Sequence, residues 1–400
     1  MSRPTVHLPD LAIDPWATLK RAREGGWLAD AGPDAVAVLT HERVRELLVD
    51  PRLRANFPDF LAGFGVSSGP FYEWMALSPL NRDGAEHQRW RALMSRTFTP
   101  RSVERLRPFL CAAAHELIDG FATRGHCEFV AEFADAYPSL GLCELIGVPS
   151  EDRDRFRAWA NAIGLGFNPM VMAERIGEID AALLELLDYT RALAARRRVE
   201  PRDDLVTRIA QAGDDAGWSD DQIHGAIAGL VFAGHETTKH QLGWTVAVLS
   251  EHPEIWDGVA SGALPVREVI EEVLRHRSTA TTVGRTTAEA VDLGGEHIPA
   301  GTNVFLSLWS ADHDERAFPR PDEIAVEANA VAPHLAFGHG AHHCLGAALA
   351  RAELQDALTA LAERLECPCL EPGAVWKPPI GINGPDVLPI SFRVRSDAHR

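Results

Sequence analysis

The sequence predicts a mainly α-helical fold with a small β portion, and three observations predict it. Apolar residues keep helical spacing through the run 219–250, where Ile223, Ile227, Leu230 and Val231 share one face. Capped helical runs recur along most of the chain, and the last long one covers residues 347–365. The strand-like segments are short and lie mostly between residues 278 and 309.

Composition limits the class of protein. Of the 400 residues, 46% are hydrophobic, which is enough for a large core. No composition break, repeat or low-complexity tract divides the chain, so we expect a single domain over residues 1–400. A net charge of −18 argues against nucleic acid as a partner. Lysine occurs only at Lys20, Lys239 and Lys377, so a cationic patch must be built from arginine.

The cysteines and the N-terminus indicate the compartment. Six cysteines show no paired framework, and the Cys367-x-Cys369 pair alone is not a zinc site. A reducing cytoplasm fits this usage better than secretion. Residues 1–10 have no apolar core of a signal peptide, and no run of 18 apolar residues occurs. We therefore expect a soluble, cytoplasmic protein without a membrane anchor.

The first half of the chain alternates caps and apolar runs. Helices are predicted over residues 16–24, 41–49, 84–96, 100–119, 129–147, 151–162 and 173–198, with a strand over 36–39. Residues 51–80 are predicted to be irregular and are rich in aromatic side chains. They are either a functional lid or anchors in the core, and the sequence does not decide between these.

The run 219–250 carries an unusual centre, Ala233-Gly234-His235-Glu236-Thr237-Thr238. Glycine and two β-branched threonines are poor choices for the middle of a core helix. Threonine can bond back to a carbonyl one turn earlier and loosen the helix. A buried carboxylate with no evident partner is costly unless it is used. These features favour a functional site, although an N-cap or a helix–helix polar contact is the plainer alternative.

The second half of the chain begins with a helix over 266–276, which holds Glu272 and Arg275 on one face. A threonine-rich strand (278–287), a hairpin (291–298) and a short strand (303–309) follow. Residues 388–390 are assigned to a final hairpin whose turn lies around 380–383.

The strongest motif is Phe337-Gly338-His339-Gly340-Ala341-His342-His343-Cys344-Leu345-Gly346, directly before the helical run 347–365. Its glycines allow the backbone to approach a large, flat group. A thiol at a helix N-terminus is biased toward thiolate, the ligand that a haem iron needs for O–O cleavage. A lone intracellular cysteine is more often a small buried hydrophobe, and only the spacing changes that expectation.

This loop resembles the haem-binding loop of the cytochrome P450 family, and four other segments follow the family's order from about residue 35 to 393. The resemblance implies a cytochrome P450 fold, with haem b between the 219–250 helix and the cysteine loop. Cys344 would be the iron ligand, with Phe337, Gly338 and Gly346 beside it. The propionate-binding residues would be His87, Arg91, Arg285 and His342. Thr237 would stabilise iron-bound oxygen, and Glu236 would help to relay protons.

One segment departs from the family pattern. The resemblance makes Glu272 and Arg275 a buried structural pair, which an arginine usually completes as a triad. This chain has Ala328 or Asn329 in that position. A neutral asparagine can still donate hydrogen bonds to Glu272, so we expect a weaker scaffold and not a dead enzyme.

The resemblance implies a monooxygenase that uses O2 and takes electrons from a small acidic ferredoxin. Arg89, Arg96, Arg101 and Arg105 would form the docking patch, or they are ordinary solvated arginines. The substrate would be a small, mostly apolar organic molecule. Two alternatives stay open: a peroxide-driven peroxygenase of the same fold, and a haem-thiolate sensor without turnover. The presence of Glu236 and Thr237 argues against the peroxygenase.

Overall fold

The structure is a computed structural model that describes residues 3–396. Most of these residues are helical. Helices α1–α16 are Leu8–Ile13, Pro15–Gly25, His41–Leu47, Phe57–Gly63, Pro70–Leu77, Gly84–Thr97, Pro100–Asp119, Ala136–Ile146, Arg153–Gly164, Met172–Val199, Leu205–Asp215, Asp220–Leu249, Pro253–Ala260, Val266–His276, Leu308–Asp312 and Ala347–Arg364. A π-helical turn, Val130–Ala134, precedes α8.

The β portion is small and divided. Strands β1–β12 are Leu28–Gly32, Ala35–Val38, Leu53–Arg54, His126–Glu128, Thr282–Thr287, Val291–Leu293, Glu296–Ile298, Asn303–Ser307, Cys369–Leu370, Val375–Trp376, Pro385–Val387 and Pro389–Ser391. The largest sheet has the order β1-β2-β8-β5-β3, in which only β2 and β8 run parallel. The expected class, mainly helical with a small β portion, is confirmed.

Helix α12 is the centre of the core. A capping box starts it: Ser219 Oγ accepts from Gln222 N–H, and Gln222 Oε1 accepts from Ser219 N–H. Most of its side chains are buried, and it packs against α8, α9, α10 and α16. A helix of 30 residues is about 45 Å long, so α12 crosses the molecule and carries its polar centre into the interior.

Each predicted helix has a counterpart in the structure, but α1, α11 and α13 were not predicted, and the predicted strand 303–309 ends at Ser307, where α15 follows. The stretch 51–80 is not irregular, because it forms β3, α4 and α5. Phe71 is fully buried, and Phe57 and Phe60 are partly buried against the same core, which supports the interpretation as core anchors. The lid stays a prediction.

The C-terminal prediction needs a correction. The hairpin is formed by β10 and β11, and the turn at 380–383 lies between them. Residues 389–391 are instead β12, which pairs with β4 and β9.

The buried scaffold behind the cysteine loop is intact without a second arginine. Arg275 donates two hydrogen bonds to Glu272, at 2.8 and 2.9 Å. Asn329 Nδ2 donates to Glu272 Oε1 at 2.8 Å, and Ala325 N–H donates to the same oxygen. The prediction that Asn329 substitutes for the missing arginine as a donor is confirmed.

Over residues 3–396, no helix combines the length and the apolar character that a bilayer crossing requires.

Candidate active site

The loop before α16 is shaped by its glycines. Gly338 and Gly340 have φ of 68° and 74°, which is left-handed backbone that side chains disfavour. Gly338 N–H donates to the Leu335 carbonyl at 2.7 Å, and Cys344 N–H donates to the Phe337 carbonyl at 2.9 Å. These bonds fold the loop back on itself. No neighbouring atom lies within 4 Å of where a Cβ of Gly338 would be, so one side of the loop is open.

The Cys344 thiol lies in a recess of the protein. Its side chain has accessible surface, yet protein surrounds it closely enough that burial raises the pKa of the thiol. The N–H groups of Gly346 and Ala347 and the charges of Arg91 and Arg351 act in the opposite direction. Donors and cations directed at one sulfur favour a thiolate, which is the form that binds a metal.

Two arginines near this loop have no anionic partner. Arg285, on β5, is buried, and among the described residues it donates to the carbonyl of its neighbour Gly284. Arg91, on α6, is half-buried. Burial lowers the pKa of both guanidinium groups. Within residues 3–396, neither side chain lies within ion-pair distance of a carboxylate. Buried charges are costly when unpaired, so the pair indicates an anionic ligand.

Two histidines stand beside these arginines. The rings of His87 and His342 lie 4.1 Å apart between centroids, and His342 Nε2 is 3.0 Å from Asp83 Oδ1. Burial lowers the pKa of both rings, and that of His87 falls to about 4. Both are therefore neutral at physiological pH and can donate hydrogen bonds to an anion without adding charge.

Haem fits this set of groups. A thiol facing two N–H donors suits the iron, and the unpaired Arg91 and Arg285 suit two propionates. The structure brings His87, Arg91, Arg285, Phe337 and His342 together around the Cys344 loop. The assignment of these residues to haem requires that they lie close together.

The centre of α12 has an accessible face. Ala233, Gly234 and Thr237 retain solvent-accessible surface although most neighbouring positions of the helix are buried. Thr237 Oγ1 donates to the Ala233 carbonyl at 2.8 Å, which is the back-bond that the sequence predicts for threonine here. One small-residue face of the central helix is therefore accessible, with the Thr237 hydroxyl at its edge.

Glu236 is buried, but the expectation that it lacks a partner is wrong. Lys239 Nζ lies 2.6 Å from Oε2, while His240 Nε2 and Lys377 Nζ lie 2.8 and 2.6 Å from Oε1. Burial alone would raise the pKa of this carboxyl, but Lys239, His240 and Lys377 hold it well below its usual range. We call Glu236, Lys239, His240 and Lys377 the buried charge cluster.

Part of this cluster was visible in the sequence. Lys239 and His240 follow Glu236 by three and four residues, which places all three on one helix face. Lys377 directly follows β10 in the sequence, and no local sequence pattern predicts its contact with Glu236. The cluster also reaches α9, because Lys239 Nζ donates to Asn161 Oδ1 at 2.8 Å.

Aromatic side chains from the 51–80 stretch meet the segment between α9 and α10. Phe167 stacks on Phe232 of α12 with centroids 4.0 Å apart. Phe57 and Phe71 lie 5.1 and 6.0 Å from Phe167. These contacts form an apolar wall at Phe232, the residue directly before Ala233 on α12.

The four arginines of the predicted docking patch lie on α6 and α7. All four are exposed, and Arg105 forms an ion pair with Asp203 at 3.3 Å. In the described part of the chain, Arg89, Arg96 and Arg101 make no ion pair. Three unpaired cations therefore remain on this surface.

Comparison with known proteins agrees with this geometry. A family profile described as Cytochrome P450 matches residues 264–383. Luteothin monooxygenase of Streptomyces thioluteus is 35% identical over 93% of this chain and 91% of its own. Mycinamicin IV hydroxylase/epoxidase of Micromonospora griseorubida is 38% identical over 78% of this chain and 79% of its own. The structure of cytochrome P450 CYP109Q5 from Chondromyces apiculatus superposes with a TM-score of 0.88 at 28% identity, covering 99% of this chain and 100% of that one.

Proposed function

Because this chain belongs to the cytochrome P450 family and is a monooxygenase, we propose that it inserts one oxygen atom from O2 into a small, mostly apolar organic substrate. The cofactor is haem b, and the reaction is a hydroxylation or an epoxidation in secondary metabolism. The whole chain, residues 1–400, forms the single domain that carries this activity. The main support is the pair of unpartnered guanidinium groups, Arg91 and Arg285, beside a thiol that two N–H groups face.

Each residue of the site has a distinct task. Cys344 binds the iron, and Phe337, Gly338 and Gly346 shape the loop around it. The propionates are held by the two arginines together with His87 and His342. Bound haem supplies reductive activation of O2, and the protein tunes that chemistry through the thiolate, burial and proton supply.

Proton delivery is assigned to Thr237 and Glu236. The Thr237 hydroxyl, anchored to the Ala233 carbonyl, offers an oxygen at the accessible face of α12 that can pass a proton inward. Glu236 is ionised and contacts the amino groups of Lys239 and Lys377. The buried charge cluster thus holds a carboxylate next to Thr237 in the sequence, and Glu236 is assigned to the proton relay that serves Thr237.

The thiolate assignment has a direct test. The reduced protein, exposed to carbon monoxide, should show the red-shifted absorption band of a thiolate-ligated haem. The Cys344→Ser variant should lose this band, whereas Cys369→Ser, which changes an exposed cysteine, should keep it. A wild-type protein without the band, or a Cys344→Ser variant that retains it, would remove the proposal.

The substrate class rests on the wall formed by Phe57, Phe167 and Phe232. Aromatic surfaces of this kind favour apolar and aromatic molecules. The names of the two relatives, which act on luteothin and mycinamicin IV, agree with a secondary metabolite. Compounds that bind beside the haem would shift its Soret band, so a screen for this shift identifies candidates. If only strongly ionic compounds shifted the band, the proposed substrate class would be wrong.

The electron donor is proposed to be a ferredoxin-type protein. Its acidic surface would meet Arg89, Arg96 and Arg101, and such patches raise association rates in a salt-dependent way. Replacing Arg89 and Arg96 by glutamate should slow reduction of the haem at low salt. The control Arg393→Glu changes an exposed arginine on the C-terminal segment. Equal reduction rates in the two variants would contradict the docking patch.

A further inference from the structure

A second ionic cluster, formed by Glu271, His334 and Arg351, lies next to the Cys344 loop and has no assigned role. Arg351 of α16 donates from Nε to Glu271 Oε1 at 2.6 Å and from Nη2 to Glu271 Oε2 at 2.8 Å. His334 Nε2 lies 3.1 Å from Glu271 Oε2. Glu271 belongs to α14, so one carboxylate joins α14, α16 and the segment that leads into the loop.

The geometry fixes the tautomer of His334. Its Nδ1 accepts a hydrogen bond from Ala336 N–H at 3.2 Å. A nitrogen that accepts carries no proton, so in the neutral ring the proton lies on Nε2, where it is donated to Glu271. The ring is thereby held between the carboxylate and the backbone, and the segment 334–336 is fixed to α14.

Arg351 connects Glu271 to the loop through a contact with Phe337. Its Cζ lies 4.5 Å from the centroid of the Phe337 ring, so the guanidinium stacks on the ring. The Phe337 carbonyl accepts the N–H of Cys344 at 2.9 Å. Glu271, Arg351, Phe337 and Cys344 are therefore connected by direct contacts that run from α14 to the backbone of the cysteine.

Stability alone does not account for this arrangement. The side chains of Glu271 and Arg351 are each about one-third exposed, and ion pairs with that exposure add little to folding free energy. What the two-pronged contact provides is orientation, because a planar guanidinium with both prongs bonded has little freedom to turn.

We propose that Arg351 is a positioning residue for the iron ligand: held by Glu271 and His334, it fixes Phe337 and so keeps the Cys344 sulfur in place. This inference rests on the proposed haem-thiolate function. It assigns a role to Glu271, His334 and Arg351, which lie outside the motif 337–346.

The test compares loss of ligation with loss of fold in the haem-loaded protein. We measure the thiolate band of the reduced carbon monoxide complex and the far-ultraviolet helix signal over the same urea series. In the wild type both signals should disappear together. In Arg351→Gln and Glu271→Gln the band should be lost at urea concentrations that leave the helix signal unchanged.

Two further variants make the outcome decisive. Arg364→Gln removes an arginine of the same helix that pairs with Asp119 at 2.6 Å, away from the loop, and should behave as wild type. Arg351→Lys keeps the charge but not the planar fork, so it should behave as Arg351→Gln. If Arg351→Gln and Glu271→Gln match Arg364→Gln, or if lysine fully restores the wild-type pattern, the positioning role is refuted. A wild-type protein that lacks the band from the outset refutes the proposed function instead.

Discussion

Lys377 Nζ lies 2.6 Å from Glu236 Oε1, although 141 residues separate the two in the sequence. The chain has three lysines, and two of them, Lys239 and Lys377, contact this one carboxylate. The side chains of Glu236, Lys239 and Lys377 are all buried. The contact ties the C-terminal segment after β10 to the centre of α12, beside the proposed site of proton delivery.

The Lys377–Glu236 pair should be strongly coupled. In a double-mutant cycle with Lys377→Met and Glu236→Gln, we expect a coupling free energy of about 1–3 kcal/mol, because both charges lose water on folding. Urea unfolding of the four haem-loaded proteins measures it.

The matched control is the pair Lys20–Asp322, which has the same 2.6 Å distance but side chains about half exposed. The corresponding cycle should give less than about 0.5 kcal/mol. Equal coupling in the two pairs would mean that burial does not strengthen the contact to Glu236.

Asn329 should be a stabilising residue. Its Nδ2 donates to Glu272 Oε1 at 2.8 Å and to the Arg320 carbonyl at 2.9 Å, and its Oδ1 accepts from Arg320 N–H. Asn329→Ala should lower the free energy of unfolding by about 1–3 kcal/mol, since a buried carboxylate loses one donor. Asn303→Ala, at an exposed position of β8, should change it by less than about 0.5 kcal/mol. Similar losses in both variants would contradict this role.

The sequence predicted best where local chemistry decides the structure. Ser219 before α12 and Thr99 before α7 each form the cap that their residue types favour. The partnership of Asn329 with Glu272 followed from knowing that an amide can donate. The irregular assignment of 51–80 failed because α4 and α5 have only seven and eight residues. Two turns show too little periodicity to be seen among so many aromatic residues.

The contacts that sequence reasoning missed are long-range. Lys377 meets Glu236, and Arg351 of α16 meets Glu271 of α14, only because the helices pack together. Nothing in the spacing around Lys377 or Glu271 indicates a partner. Motif reasoning therefore named the residues of the proposed haem site, whereas the supporting contacts required the structure.

Asp312 should make stability depend on pH. Burial raises the pKa of this carboxyl to about 7, and its Oδ2 has no hydrogen-bond partner among the described residues. Between about pH 4 and pH 7 the folded protein keeps a proton that the unfolded chain has released, so this group's contribution to stability falls as pH rises. Relative to wild type, Asp312→Asn should gain about 1–3 kcal/mol between about pH 5 and pH 8.

Thermal and urea unfolding at several pH values measure this difference. Asp59→Asn, at an exposed position of α4, is the control and should show a small, constant offset. A constant offset in Asp312→Asn as well would show that the buried carboxyl does not titrate in this range.

Retention of haem should depend on Arg91 and not on Arg89. Both lie on α6, but Arg91 is half-buried and near Cys344, whereas Arg89 is exposed. Arg91→Gln should therefore lower the haem-to-protein ratio after purification several-fold, because a propionate loses its charged partner. Arg89→Gln should keep the wild-type ratio. Equal ratios in the two variants would contradict the assignment of Arg91 to a propionate.

Thr237 should determine whether electrons reach the substrate. Its hydroxyl is at the accessible face of α12, one turn after Ala233. Thr237→Ala removes the group proposed to pass a proton inward, and a misdirected proton releases hydrogen peroxide. We expect several-fold more peroxide for each reducing equivalent consumed, with the carbon monoxide spectrum unchanged. Peroxide release and product formation, measured in the same reaction, give the ratio.

Thr238→Ala provides the matched control, because this neighbouring threonine is buried and lies about 100° further around α12, next to Glu353. It removes the same hydroxyl and methyl groups from a buried position instead of the accessible face, so coupling should stay near the wild-type value. The two alternatives give different results. A peroxygenase would keep its peroxide-driven rate in Thr237→Ala, since proton delivery to bound O2 is not part of its cycle. A sensor would consume no reducing equivalents in either variant, so an unchanged, near-zero consumption in both would rule out the monooxygenase.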